Sequence, residues 1–177
     1  MPGGNRTCFV YHAGVQRIPT SSAPRLAGKA YRITADVDVL PGAEGVILAQ
    51  GGHYGGFTLY VKEGHVVYEV NAFGNISGSI VSSQPLEAGK AEIVVDFIPD
   101  ATKLRKEMWP GRSVSPGVAR LSINGKAAGE TSVANFGGYY YETFDIGSDL
   151  GTAVSSGYAS PFAFTGKIDT VKVDLEP

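Results

Sequence analysis

Gly51-Gly52-His53-Tyr54-Gly55-Gly56 is the first place in this chain where residue types and spacing suggest chemistry. Paired glycines could cradle a phosphate if a strand entered the loop and a helix left it. Here the residues that follow, Phe57 to Lys62, read as another strand, and no Lys-Ser or Lys-Thr comes after the glycines. That removes the nucleotide reading and leaves His53 and Tyr54 as two side chains set between permissive glycines. A second candidate is Tyr139-Tyr140-Tyr141-Glu142. Aromatic faces, hydroxyls and a carboxylate are what a sugar ring needs, because its C–H face packs on rings while its edge hydroxyls seek polar groups. His53, Tyr54, Tyr139, Tyr141 and Glu142 are therefore the expected glycan rim, weighed against ordinary loop packing.

Metal chemistry has one candidate. Asp145, Ser148 and Asp149 share a glycine-bearing loop, and such oxygens can hold calcium. The alternative is a turn in which Asp caps local backbone. His12, His53 and His65 are scattered, with no cysteine cluster beside them, so zinc has no ligand set. No serine sits in a Gly-x-Ser-x-Gly elbow. Cys8, in Thr7-Cys8-Phe9-Val10-Tyr11, reads as an inert core thiol. Asp36 and Asp38 are the nearest approach to a glycosidase acid pair, but they alternate with Arg32 and Thr34 on what reads as a solvated face.

The elements that must position these residues are strands. Tyr31, Ile33, Ala35, Val37 and Val39 alternate with Arg32, Thr34, Asp36 and Asp38, a period of two with one face in a core. Val46 to Gln50 is nearly all apolar and reads as buried on both sides. Glu63-Gly64 and Asn124-Gly125 are two-residue hairpin turns. Lys90 to Ile98, Val118 to Ile123, Lys126 to Val133 and Phe162 to Leu175 supply further strands, the last with a slip near Asp169-Thr170 that reads as a bulge. Residues 1–7 read as irregular, and residues 99–117 as an irregular insertion loop with room for one short helix at Ala101 to Trp109. That loop carries Lys103, Arg105, Lys106, Trp109 and Arg112, which could meet an acidic partner or a sulfated glycan, or form a solvated insertion. About nine to twelve short strands in one domain mean an all-β, two-sheet antiparallel β-sandwich or jelly roll.

Composition agrees. The 177 residues suit one domain, and 24 Gly with 10 Pro fit many tight turns. Lys plus Arg number 15 against 17 Asp plus Glu, which gives no electrostatic case for nucleic acid or an anionic membrane. One cysteine permits no intrachain disulfide. No run approaches the ~20 apolar residues of a membrane span, and no basic-then-apolar signal segment opens the chain.

Several stretches together carry a family resemblance. "YHAGVQRIPTSSAPRLAGKAYRITADV", "RITADVDVLPGAEGVILAQGGHYGGFTLYVKEGHVVYEVN", "GVARLSINGKAAGE", "ETFDIGSDLGTAVSSGY" and "SPFAFTGKIDTVKVDL" resemble, in order, the C-terminal extension of long bacterial arylsulfatases. The resemblance is weakest across Pro99 to Gly117. More distantly, the pattern around Gly56 to Tyr68 is similar to concanavalin-A-like and laminin-G-like sandwiches. The resemblance implies a bacterial protein with a sulfatase catalytic domain as partner; the sequence does not encode the compartment, bacterial cytoplasm or periplasm. It implies no catalytic residue here. The Cys/Ser-x-Pro-x-Arg motif that yields formylglycine is absent: Cys8 precedes Phe9-Val10-Tyr11, and Ser115, Pro116 and Arg120 are wrongly spaced. The expectation is a non-catalytic accessory domain that docks on a catalytic domain, shapes substrate access or forms oligomer contacts. The alternative is a lectin-like module for a glycan, sulfated or not. A second alternative is an independent jelly-roll enzyme acting on a glycan.

Overall fold

The computed structural model describes residues 6–106, 113–137 and 142–176. Its strands are β1 (Cys8–Tyr11), β2 (Tyr31–Val39), β3 (Gly45–Gly52), β4 (Gly55–Lys62), β5 (His65–Ala72), β6 (Asn75–Val81), β7 (Gly89–Pro99), β8 (Arg105–Lys106), β9 (Ser113–Ile123), β10 (Lys126–Gly137), β11 (Phe144–Ile146) and β12 (Lys167–Leu175). They form two antiparallel sheets. Sheet A runs β1-β12-β2-β7-β9-β10, with β8 paired to β9, and sheet B runs β11-β3-β4-β5-β6.

Alternation sets the faces of sheet A. In β2 the five apolar positions are buried and Arg32 and Asp36 are exposed. The outer face is tied by ion pairs: Arg32 to Asp96 at 2.7 Å, Lys167 to Asp169 at 2.9 Å and Lys172 to Asp174 at 2.8 Å. Hydrogen bonds from Lys90 and Lys167 hold the Asp169 carboxyl down at about 2. Asp169 is the expected bulge, since the β12–β2 register shifts between Ile168 and Thr170. Both predicted hairpin turns have two residues in the left-handed region, Glu63-Gly64 and Asn124-Gly125, as a type I′ turn requires.

The inner faces meet over a ring cluster. Tyr31 stacks on Phe97 at 5.3 Å, and Phe97 lies 4.9 Å from Phe136. The Tyr31 and Tyr68 hydroxyls hydrogen-bond to each other across the core, linking sheet A to sheet B. Burial pushes the Tyr68 phenol strongly up. Along one side Gly78 of β6 lies against Val133 of β10, and the Asn135 amide donates to Ser77 Oγ at 2.6 Å. On the other side Tyr11 of β1 packs on Phe144 of β11 at 4.9 Å.

Sheet B has a second cover. Every residue of β3 is buried, and so is β4 up to Lys62. One face packs on sheet A. The other is roofed by the segment between β11 and β12, where Val154, Tyr158 and Phe162 close on Val46, Ala49, Tyr60 and Val67. The Tyr158 ring meets Tyr60 edge-on at 5.0 Å and stacks on Phe162 at 5.4 Å. Backbone bonds fasten the cover: Val46 N to Phe162 O at 2.8 Å, and Thr165 N to Glu44 O at 2.8 Å. Inside it the Tyr158 hydroxyl donates to Asp149 Oδ2 at 2.6 Å, and Val154 N donates to the same oxygen at 3.1 Å.

Three expectations change. Cys8 is exposed rather than in the core. In β1 it is Phe9 and Tyr11 that turn inward, which puts Cys8 on the outer face beside Asp174. Residues 99–117 are not one loop either. Ala101–Lys103 is a 3₁₀ turn capped by Asp100, and Ser113 to Gly117 belong to β9. Gly117 fits that strand because the Phe97 ring and the Ile98 carbonyl fill the space a Cβ would need. Trp109 and Arg112 lie outside the described residues. Finally, a strand that the sequence does not suggest, β11, lies after Phe136 and pairs with β3.

Two predictions follow from the cover. At Gly45, φ is +120° and a Cβ would sit 2.2 Å from the Ala163 carbonyl oxygen. Gly45→Ala is expected to cost about 3 kcal/mol, from left-handed strain plus a backbone clash. Gly42→Ala, at φ +73° with open space, carries the strain alone, about 1 kcal/mol. Urea unfolding of both variants checks this, and equal costs would exclude Gly45 as the clamp. The second concerns Asp149, 1% exposed. Burial raises its carboxyl pKa, against lowering by bonds from Tyr158, Val154 and Gly151. A raised acid contributes stability that is complete below the ordinary carboxylate range and is lost as pH climbs through the folded value. The stability of the wild type minus that of Asp149→Asn should therefore shrink as pH rises from about 4. Denaturation across that range reads it, and a widening gap would contradict it.

Candidate functional site

The β3–β4 tip carries His53 and Tyr54, and its geometry explains the glycines around them. Gly51 faces Gly56 across the pair, with φ +91° and the Gly55 carbonyl oxygen 2.1 Å from where a Cβ would lie. Side chains there would push the two backbones apart, so the strands can close tightly only as glycine. The next hairpin places its own tip alongside, since Gly55 pairs with Ala72.

Asn71 ties the two tips to the cover. Its Nδ2 donates to His53 O at 3.0 Å and to Val154 O at 2.8 Å, and its Oδ1 accepts from Gly74 N at 3.0 Å. Thr152 makes the second tie. His53 N donates to Thr152 Oγ1 at 2.9 Å, and that hydroxyl donates to Glu142 Oε1 at 2.5 Å. Neither Asn71 nor Thr152 was expected. The one signal was a lone amide at the end of the apolar run His65 to Val70.

Between the tips and the cover lies a cleft of about 460 Å³, whose lining includes His53, Tyr54, Asn71, Ile76, Ser156 and Tyr158. Tyr54 stands at its mouth, 71% exposed, with its ring edge-on to the His53 ring at 4.9 Å. Hydrogen-bonding capacity is divided. Asn71 and Thr152 spend theirs on the framework, whereas the His53 ring, the Tyr54 hydroxyl and the Ser156 hydroxyl bond to no described residue. At the floor, burial drives the Tyr158 phenol far up and Asp149 adds to it. Burial likewise pushes the neighbouring Tyr60 up to about 12.

The expected rim is thus partly assembled. His53, Tyr54 and Glu142 come together, joined through Thr152. Glu142 lies behind Thr152, outside the lining, and is not a free group: Thr152 N and Oγ1 occupy its two oxygens, and Gly52 and Gly151 press so close that a Cβ on either would strike the carboxylate. Tyr139 and Tyr141 lie outside the described residues. Asp145 and Asp149 are buried beneath the cover. Asp145 accepts from Arg17 N at 2.6 Å and Thr143 Oγ1 at 2.7 Å, while Asp149 accepts from Tyr158 and Val154. These oxygens face N–H and O–H donors: Asp149 caps the local turn, and Asp145 ties β11 to the segment at Arg17. Among the described residues no three His, Cys, Asp or Glu side chains gather as a metal site. Asp36 and Asp38 lie on the outer face of sheet A, bonded to Thr170 and paired with Lys90.

A larger hollow of about 600 Å³ sits on sheet A over Ala127 to Gly129. Its charged groups are already partnered, Arg120 with Glu130 at 2.6 Å and Asp96 with Arg32, and it presents no aromatic ring.

No family model and no curated protein matches the chain. Solved structures do. The galectin LEC-6 of Caenorhabditis elegans superposes with a TM-score of 0.53 at 10% identity, covering 97% of this chain and 99% of that one. Domains LG4-5 of the mouse laminin alpha1 chain superpose with a TM-score of 0.52 at 10% identity, covering 97% of this chain. This chain spans 39% of the length of that laminin chain. Neither match links the chain to a sulfatase. At this identity they show the fold alone: a two-sheet antiparallel sandwich of jelly-roll, concanavalin-A-like architecture.

Proposed function

We propose that this chain is a non-catalytic, carbohydrate-binding module of lectin type, with its sugar site in the cleft at the hairpin tips. One observation carries the reading. Tyr54 presents a mostly exposed ring beside a cleft whose free groups are an imidazole, a phenol and a hydroxyl. A ring face for sugar C–H groups, next to groups that both donate and accept, is the chemistry a pyranose requires. The volume lies within the range of small-ligand pockets, about 300–1,000 Å³. The shared fold with a galectin supports the reading at the level of architecture alone.

The finer reading, that the module accompanies an arylsulfatase catalytic domain and helps position its substrate, rests on the sequence stretches quoted above. It is compatible with glycan binding, since a module that holds a glycan also places it. Both readings make the isolated chain non-catalytic; in support, Asp36, Asp38, Asp145 and Asp149 are each engaged in hydrogen bonds or ion pairs.

A glycan array followed by calorimetric titration of the strongest hit tests the main reading. Tyr54→Ala should weaken that hit at least tenfold with an unchanged melting temperature, about 1.4 kcal/mol of binding. Tyr54→Phe should keep most of the affinity. A flat array, or full affinity in Tyr54→Ala, would end the proposal. The isolated chain should also show no aryl sulfate turnover with added divalent metal, and turnover that co-purified with it would overturn the non-catalytic assignment.

A further inference from the structure

We infer that the hairpin-tip cleft selects an uncharged sugar over its sulfated counterpart; the inference rests on the carbohydrate reading above and sharpens it. Sulfate is held in proteins by guanidinium or ammonium groups through charge-assisted hydrogen bonds. The described lining of the cleft contains no Arg and no Lys. Two carboxylates are hydrogen-bonded to side chains of that lining. Glu142 stands behind Thr152 on one wall, and Asp149 lies under the Tyr158 hydroxyl at the floor. Lys62 is the cation tied to the cover, but it donates to the Gly157 carbonyl and is not part of the lining. Arg32, Lys90, Arg120, Lys167 and Lys172 pair with carboxylates on sheet A, and Lys103 pairs with Asp100 in the 3₁₀ turn.

Two carboxylates hydrogen-bonded to lining side chains, against one ammonium that faces a backbone carbonyl outside the lining, leave the cleft with an excess of negative charge that disfavours an anionic ligand. The groups left free suit a neutral partner better. Phenol, imidazole and serine hydroxyl can each exchange hydrogen bonds with sugar hydroxyls as donor or acceptor. No lost ion hydration has to be replaced.

The test uses matched pairs of oligosaccharides that differ only by one sulfate, titrated calorimetrically against the full chain at pH 8 in low and high salt. The neutral member should bind at least tenfold more tightly, and its affinity should be flat with salt because no ion pair is screened. Ser156→Arg, on an exposed position of the cleft, should narrow the gap at least fivefold by gain on the sulfated arm, and that gain should fade in high salt. A sulfated member that binds the wild type as well as or better than its twin, with affinity that falls as salt rises, would overturn the inference and leave the carbohydrate reading standing. Silence on both arms across the pairs would overturn the carbohydrate reading and this inference with it.

Discussion

The rest of the structure depends on β3 and β4 being buried on both faces. A sheet in an ordinary sandwich shows one face to water and alternates accordingly. Here Val46, Ala49, Thr58 and Tyr60 point away from the main core and are still sealed, because the segment between β11 and β12 lies over them. That double burial needs a largely apolar or small-residue strand, and Gly45 to Gly52 supplies one with Gln50 as its single buried polar side chain. It also needs the cover to come close, which Gly45 permits against Ala163.

Burying a second layer brings polar groups with it, and each must find a partner or cost stability. Asp149 accepts from Tyr158 and from the Val154 amide, and Tyr158 also lies 3.2 Å from Thr58 Oγ1. Tyr60 reaches Glu69 and Ser155 at the margin. The network is specific in geometry rather than strongly stabilising. Its members fix where the cover sits, and so they fix the wall that the cover gives to the cleft. Asn71 continues the same logic outward, using one amide to hold two strand tips and the cover in register.

What the sequence revealed follows from this division. Sheet A was legible because alternation is a signal read one strand at a time, and β2, β7 and β12 show it clearly. The two type I′ turns were legible because positive φ at two successive positions restricts residue choice. The faces of β1 were not, since Cys8, Phe9, Val10 and Tyr11 are all apolar and four residues do not reveal which pair turns inward. Ser113 to Gly117 was misread because Pro116-Gly117 is the grammar of a turn, and only the Phe97 ring across the way explains a glycine inside a strand. The cover has no period at all. Its roles for Asp145, Asp149, Thr152 and Tyr158 exist only once it is laid on sheet B. His53 and Tyr54 could be singled out beforehand, because a side chain between two glycine pairs has little to pack against locally.

The cover also decides where recognition can happen. The broad outer face of a sandwich sheet is an obvious platform for a sugar, but over β3 and β4 that platform is filled by Val154, Tyr158 and Phe162. A ligand there would have to displace a packed hydrophobic layer. The surface that stays open lies where the cover ends and the hairpin tips project beyond it. The framework there is tied together, since Asn71 and Thr152 spend their hydrogen bonds on backbone and on Glu142, while the side chains of His53, Tyr54 and Ser156 bond to no described residue. A fixed frame with a few uncommitted polar groups and one ring is what lets a shallow cleft discriminate, because little order has to be created on binding. The two sheets and the cover therefore hold the fold, and under the proposed function specificity falls to the few side chains that the cover does not reach.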